Sequence, residues 1–464
     1  MDRRQDELEQ KLTELIDRHG VPGAQLAVLD GDTVTEVSAG VLSLRTGART
    51  TSDALFLPGS IGKLYTATLV LMLVDEGRVE LDAPIRRYLT DFQVADEHAR
   101  DTVTVRNLLC HTSGFDGDVF LDTGRGDDAL RRYVEQIADL PQICPPGTIW
   151  SYSNSGYAIL GRLIETITGL SYEEALRTRL FEPLALRHTV SFPEDALLHP
   201  VSVGHVPDPA DPTSLTVSPT WGLFRACGPM GASIVASAGD VLKFVSLHLQ
   251  GGLAADGTRL LSAEAVAAMQ SRQIDLVDDS VLGDGWGLGW ILDRWGGLSV
   301  IGHDGNSIGQ NAFMRLAPDQ RFGFCLQTNV ESALGLYREL AAWLFGERLG
   351  VGPRPDPAQL ASAVVADPSR YAGVYERAGV RLEVVATGES SLAASFVVTR
   401  TGPDVEALPP MVDLPLRPTT RDDGFLLKLP ISDSDLLAAF FNPDDPAGRP
   451  SYLHFGGRAH RRVG

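Results

Sequence analysis

Lysine is scarce in this chain. Among 40 cationic side chains in 464 residues, only Lys11, Lys63, Lys243 and Lys428 are lysines, and arginine supplies the rest. Positive charge is also in deficit, because 60 Asp and Glu residues leave a formal net charge of -20. An acidic surface of that kind repels nucleic acid and anionic membranes, so neither is expected as a partner. Cysteine is nearly absent. Cys110, Cys144, Cys227 and Cys325 are scattered without a CxxC pair or metal-ligand spacing, which predicts buried reduced thiols and neither a metal nor another cofactor. No uncharged apolar run approaches the roughly 20 residues that span a bilayer, the closest being residues 69–74. The first twenty residues lack the apolar core of an export signal. Leu8, Leu12, Leu15 and Ile16 instead recur at helical spacing and predict an amphipathic helix, so the chain as encoded is expected to be cytoplasmic.

What is present suggests one large domain with an appendage, since 464 residues exceed a single ordinary domain. Residues 21–44 read as two strands turning at Asp30-Gly31-Asp32, with Gly40 ending the second. The stretch from Ser60 to Gly77 is apolar on nearly every face, which describes a helix inside a domain, not one lying on its surface. Residues 100–250 read as mostly helical. From Gly285 the texture turns to strands (GWGLGWILDRW, LSVIGHDG, QNAFMRLAPD, RFGFCLQTN), and the amphipathic helix ALGLYRELAAWLFGERL closes a domain of residues 1–349. A Pro-rich linker is expected at 350–364. Within 365–464, YAGVYER, VRLEVVA, AASFVVTR, GFLLKLP, LLAAFF and SYLHFGG look like short strands of a small antiparallel sheet or barrel.

Four short patterns follow in order: Ser60-Ile61-Gly62-Lys63, Tyr152-Ser153-Asn154, the Gly228-Pro229-Met230-Gly231 turn, and His303-Asp304-Gly305. Each is weak alone. Residues three apart on a helix share a face, so the Lys63 amine can reach the Ser60 hydroxyl. Pro58-Gly59 supplies a helix start whose dipole favours negative charge at the nucleophile. Burial disfavours an ammonium and lowers the Lys63 pKa, as a base near neutral pH requires. Tyr152 needs Lys63 beside it to become acidic enough to relay a proton. Asn154 offers an amide to Lys63 and to a substrate carbonyl. His303 is placed to hydrogen-bond the Tyr152 oxygen, and Gly305 to let substrate backbone approach closely. His111, in a turn of its own, reads as framework.

Gly305-Asn306-Ser307-Ile308-Gly309 satisfies the G-x-S-x-G elbow of α/β-hydrolases, but that elbow must lead from a strand into a helix, and QNAFMRLAPDQ reads as a strand. Arg458, Arg461 and Arg462 form a basic cluster expected to be a solvated tail, with a substrate-carboxylate contact from Arg458 as the alternative.

With HTSG and GWGLGW between the motifs, residues 5–348 resemble the penicillin-recognising serine enzymes, the group of class C β-lactamases, DD-peptidases and D-aminopeptidases. The resemblance implies an α+β fold: an antiparallel sheet flanked by helices, an all-helical subdomain, and the active site in the cleft between them. It implies an acyl-enzyme on Ser60 and an oxyanion hole from the backbone N–H groups of Ser60 and Asn306. His303 stands where β-lactamases have lysine, a departure that points towards esterases, D-stereospecific amidases and transacylases. The C-terminal segment resembles the lipocalin-like appendage of D-aminopeptidases and of stand-alone penicillin-binding-protein-type thioesterases. That likeness implies a partner, a peptidyl thioester on the carrier protein of a nonribosomal peptide synthetase. It also implies release by head-to-tail cyclisation at a D-configured C-terminal residue, with the β domain as a lid that keeps water out. The rival expectation is a D-stereospecific esterase or aminopeptidase with the same Ser60 chemistry and water as acceptor. A binding module without catalysis would show a broken SxxK or YxN motif, and both are intact.

Overall fold

The computed structural model describes residues 3–278, 282–331, 333–355, 365, 367–398, 409–430, 435–441 and 448–463. Its N-terminal helix, Arg3–His19, buries Leu8, Leu12, Leu15 and Ile16, the stripe its spacing predicts. That stripe packs with the helix Leu334–Leu349 on one face of an eight-stranded antiparallel sheet. In spatial order the strands are Thr33–Gly40, Gly23–Asp30, Phe322–Thr328, Gln310–Ala317, Leu298–Ser307, Ile291–Trp295, Gly285–Trp286 and Ile274–Asp275. Alternate residues of the central strands serve different cores. Leu26, Val28, Phe313 and Phe324 face the terminal helices, while Ala27, Leu29, Met314 and Cys325 face the helical side. Burial on both faces is why these strands read as nearly unbroken apolar runs.

On the other face lies the helix Gly62–Asp75, buried from Gly62 through Leu73 because neighbours surround it. The helix Asn154–Thr168 crosses it. Ser153 caps that helix, its Oγ accepting from the Gly156 N–H at 3.0 Å, and Gly169 ends it at φ 75°. Within the stretch expected to be mostly helical, a hairpin of His205–Asp208 and Asp211–Val217 is a departure. All four cysteines are buried and unpaired. Among the described residues, no helix is long and apolar enough to cross a membrane.

The C-terminal segment closes into a barrel of eight strands in chain order: Gly373–Arg377, Val380–Gly388, Ser391–Val398, Met411–Pro418, Gly424–Leu427, Leu436–Phe441, Tyr452–Phe455 and Arg458–Arg462. Tyr375 pairs with Arg462 to join the last strand to the first. Tyr375, Leu382, Leu427, Phe440 and Leu453 fill the inside. Two of these strands have no counterpart in the sequence reading. Met411–Pro418 carries two prolines, and Arg458–Arg462 reads as RAHRR. The arginine cluster is therefore an ordered barrel strand and not a solvated tail. Residues 356–364 of the expected linker lie outside the described residues, as do the last two of AASFVVTR.

Candidate active site

Gly59 takes a left-handed φ of 54°, which lets the chain turn sharply from Pro58 into a single 3₁₀ turn, Gly59–Ile61, that runs on into the helix Gly62–Asp75. Ser60 sits at that start, half-buried and facing the cleft. One turn on, the Lys63 Nζ lies 3.0 Å from the Ser60 Oγ and donates to the Met230 carbonyl at 2.5 Å. The GPMG turn thus fixes the amine from the far side. Lys63 has 0% exposure. Burial drives its pKa well below the usual lysine range; the Arg458 charge adds to that, while Asp118 and Cys227 oppose it. A neutral amine within hydrogen-bond reach of a serine hydroxyl can take its proton.

Close backbone packing holds this turn. A Cβ on Gly231 would stand 2.1 Å from the Gly59 oxygen, and one on Gly305 would stand 1.8 Å from the Pro58 oxygen and 3.0 Å from the Ser60 nitrogen. Gly305 therefore makes room for the chain's own Pro58–Ser60 turn, where the sequence reading assigned that space to substrate backbone. Asn306 borders the same turn: its backbone nitrogen lies 2.8 Å from where a Cβ on Gly59 would be.

Two basic side chains meet the Tyr152 ring. The Lys63 Nζ is 4.8 Å from its ring centre, and so is the Arg458 guanidinium. Burial pushes its pKa well above the ordinary range, while the Ser60 hydroxyl and Arg458 pull it partly back. The expectation that Lys63 makes this phenol acidic is thereby corrected: desolvation wins, and the cation that favours the phenolate is Arg458. His111 packs against the Tyr152 ring with centroids 4.3 Å apart, and its Nδ1 accepts from the Ser153 N–H at 3.0 Å. It supports the Tyr-x-Asn turn from beneath.

His303 Nδ1 lies 2.6 Å from the Asp304 carbonyl oxygen. Only an N–H can meet a carbonyl, so Nδ1 carries the proton and Nε2 keeps a lone pair. Burial first, then Lys63, pushes its pKa down to about 3, so the ring stays neutral. The expected bond to Tyr152 is absent. Among the described residues neither the Tyr152 Oη nor the His303 Nε2 has a well-formed hydrogen bond, although the Ser60 hydroxyl acts on the phenol, and the two ring centroids are 6.4 Å apart.

Asn154 is the first residue of its helix and not part of the preceding turn. Its amide donates to Asp118 Oδ1 at 2.9 Å, not to Lys63 as expected. Asp118 also takes Arg458 through Nε and Nη2, each at 3.0 Å, and stands 3.3 Å from Arg377. Those cations hold its pKa down to about 2 against the upward pull of burial. Asp118 and Arg377 escaped the sequence reading, because a lone GFDGDVF or VYERAG carries no pattern. The cleft is a cavity of about 1130 Å³ whose wall includes Ser60, Tyr152, Asn154 and His303 from the catalytic side and Arg377, Val380, Phe396 and Arg458 from the barrel. Ser307 also lines it, but the chain after it reverses through Ile308 and Gly309 and pairs Gln310 back onto Ser307. This is a hairpin, not a strand-to-helix elbow.

Residues 8–346 match the family model Beta-lactamase. Penicillin-binding protein 4 of Amycolatopsis lactamdurans is 44% identical over 370 residues, covering 78% of this chain and 94% of that protein. The crystal structure of SurE superposes with a TM-score of 0.78 at 29% identity, covering 99% of each chain. SurE with D-Leu gives 0.77 and 28% at the same coverage. Cleft and barrel thus recur together in a solved structure. On these matches the chain belongs to the beta-lactamase family, the penicillin-recognising serine enzymes, and joins that family's serine hydrolase or acyltransferase fold to a closed barrel.

Proposed function

We propose that this chain is a stand-alone penicillin-binding-protein-type thioesterase. It takes a nonribosomal peptidyl thioester from a carrier protein onto Ser60 and releases the peptide by head-to-tail macrolactamisation at a D-configured C-terminal residue. The observation that carries this reading is the Ser60–Lys63 pair, 3.0 Å apart, at the base of a cavity walled jointly by the cleft and the barrel. The likeness to SurE across both parts, and the D-Leu in one of its structures, supports it.

In the first step Lys63 takes the Ser60 proton, Oγ attacks the thioester carbonyl, and the C–S bond breaks, the proton leaving with the thiol. The Ser60 and Asn306 backbone N–H groups receive the carbonyl oxygen as it gains charge. In the second step the peptide's own amine attacks the ester, a C–N bond forms, and the C–O bond breaks. The amine proton returns to Oγ through Lys63 and Tyr152. Asn154, anchored on Asp118, presents its remaining amide groups to the substrate backbone, and Arg458 flanks the C-terminal residue. The barrel keeps water from competing with the amine.

The test is incubation with a linear peptidyl thioester mimic ending in a D-residue, followed by mass measurement. A product lighter by one water than the free acid is expected, and none from Ser60→Ala. Free acid as the sole product would replace this reading with the D-stereospecific esterase or aminopeptidase.

A further inference from the structure

We propose that the barrel is part of the catalytic centre: Arg458, latched by Asp118, is a positioning residue whose fixed charge against the Tyr152 ring governs the protonation of Lys63. The inference rests on the reading of Ser60 and Lys63 as nucleophile and base.

Geometry makes the case. Arg458 lies in the last barrel strand, far in sequence from the motifs, yet its guanidinium and the Lys63 amine contact the same aromatic ring at 4.8 Å each. The two basic groups therefore stand no more than about 10 Å apart. The strand is held in place where it touches the cleft: the Tyr152 N–H donates to the Gly457 carbonyl at 3.0 Å, and the Ala459 N–H to Ser151 Oγ at 3.1 Å. Asp118 then clamps the guanidinium through two hydrogen bonds while holding Asn154 with the same carboxylate. Docking of the barrel and the placement of Asn154 share one anion.

The groups around Lys63 are few. Ser60, Tyr152 and Tyr157 are uncharged, Cys227 is a buried thiol pushed up by desolvation, and His111 and His303 are kept neutral by burial. The charges that act most strongly on the amine are Arg458, which disfavours the ammonium, and Asp118, which favours it. Removing Asp118 leaves Arg458 without its anion, and removing Arg458 leaves Asp118 paired with Arg377 but takes the cation away from the Tyr152 ring, so the two deletions push in opposite directions. At about 10 Å and an effective interior dielectric near 20, one charge moves the titration by roughly one pH unit.

The experiment is acylation of Ser60 by an activated p-nitrophenyl ester, followed in single turnovers from pH 4 to 9, for the wild type, Asp118→Asn, Arg458→Gln, Arg458→Lys and the Asp118→Asn/Arg458→Gln pair. The acid limb is expected to move down by roughly one unit in Asp118→Asn and up by roughly one unit in Arg458→Gln. It should return close to the wild-type position in the pair and stay in place in Arg458→Lys. Should Asp118→Asn not fold, the contrast between Arg458→Gln and Arg458→Lys decides alone. Superimposable limbs, or shifts of one sign in both single variants, overturn the proposal. Labelling that persists in Ser60→Ala would instead overturn the reading beneath it, so the two failures are told apart.

Discussion

Gly305→Ala isolates the packing that holds Ser60, because it adds one methyl group and removes nothing. Gly305 sits in a strand without a left-handed φ, so alanine suits its backbone and the objection is purely one of space. The new Cβ would stand 1.8 Å from the Pro58 oxygen and 2.8 Å from its carbonyl carbon, whereas real Cβ contacts essentially never fall under 3.0 Å. These are backbone atoms and cannot swing aside as a side-chain end does. The Pro58–Ser60 turn must therefore retreat by at least ~1 Å, carrying Oγ out of its 3.0 Å contact with Lys63 and shifting the Ser60 N–H relative to Asn306. A misplacement of that size costs about a hundredfold in rate, or ~2.7 kcal/mol of barrier. Overpacking lowers stability by a further ~1–3 kcal/mol. Stopped-flow acylation with an activated ester measures the first effect and thermal unfolding the second. Gly346→Ala is the control, since its nearest neighbour would be 3.9 Å away and alanine favours the helix interior by about 1 kcal/mol. A folded Gly305→Ala protein that acylates within a few-fold of wild type would show that the Pro58–Ser60 turn does not rest on this glycine.

Lys63→Met should lower acylation by about a thousandfold while raising the unfolding temperature. The wild type buries an amine whose folded pKa is depressed, so the unfolded chain binds the extra proton and wild-type stability falls as pH drops below the ordinary lysine range. The variant's advantage should accordingly widen as pH is lowered from about 10 towards neutrality, and a flat difference would mean that the amine is not desolvated. Tyr152→Phe should keep the fold and the ring contact with His111 yet lose about a hundredfold or more in acylation, measured by the same ester burst. Ser307→Ala should acylate within a few-fold of wild type, whereas a large loss would revive the hairpin serine as nucleophile.

Local patterns were legible wherever a few neighbouring residues decide the outcome. The Leu8–Leu12–Leu15–Ile16 stripe, the all-apolar helix after Ser60 and the closing helix Leu334–Leu349 follow from which faces are buried, and spacing encodes that directly. Ser60 and Lys63 were legible for the same reason, since one helical turn brings them together. Non-local choices were hidden. Nothing within GFDGDVF announces that Asp118 will meet a guanidinium 340 residues away. Tyr152 shows the same limit from the other side: proximity to a cation is readable from motif order, but the depth of burial that outweighs it is not.

The barrel strand Arg458–Arg462 shows why sequence texture failed there. A strand shared between a barrel and a neighbouring domain is not required to alternate apolar and polar residues, because part of its outward face meets protein and not water. Ala459 packs on Ile143 and Ile149, and His460 is buried beside Arg377, while Arg458 finds its complement in Asp118. Charge in a strand normally marks solvent, and here it marks an interface whose compensating anion is supplied by the other domain. An acidic chain that is short of lysine thus keeps a neutral amine from the nucleophile helix and a guanidinium from the barrel against one tyrosine ring, and sets the second with the Asp118 carboxylate. If the barrel were only a cover, a hydrophobic seam would have served, and no ion pair would need to reach within 5 Å of the catalytic ring.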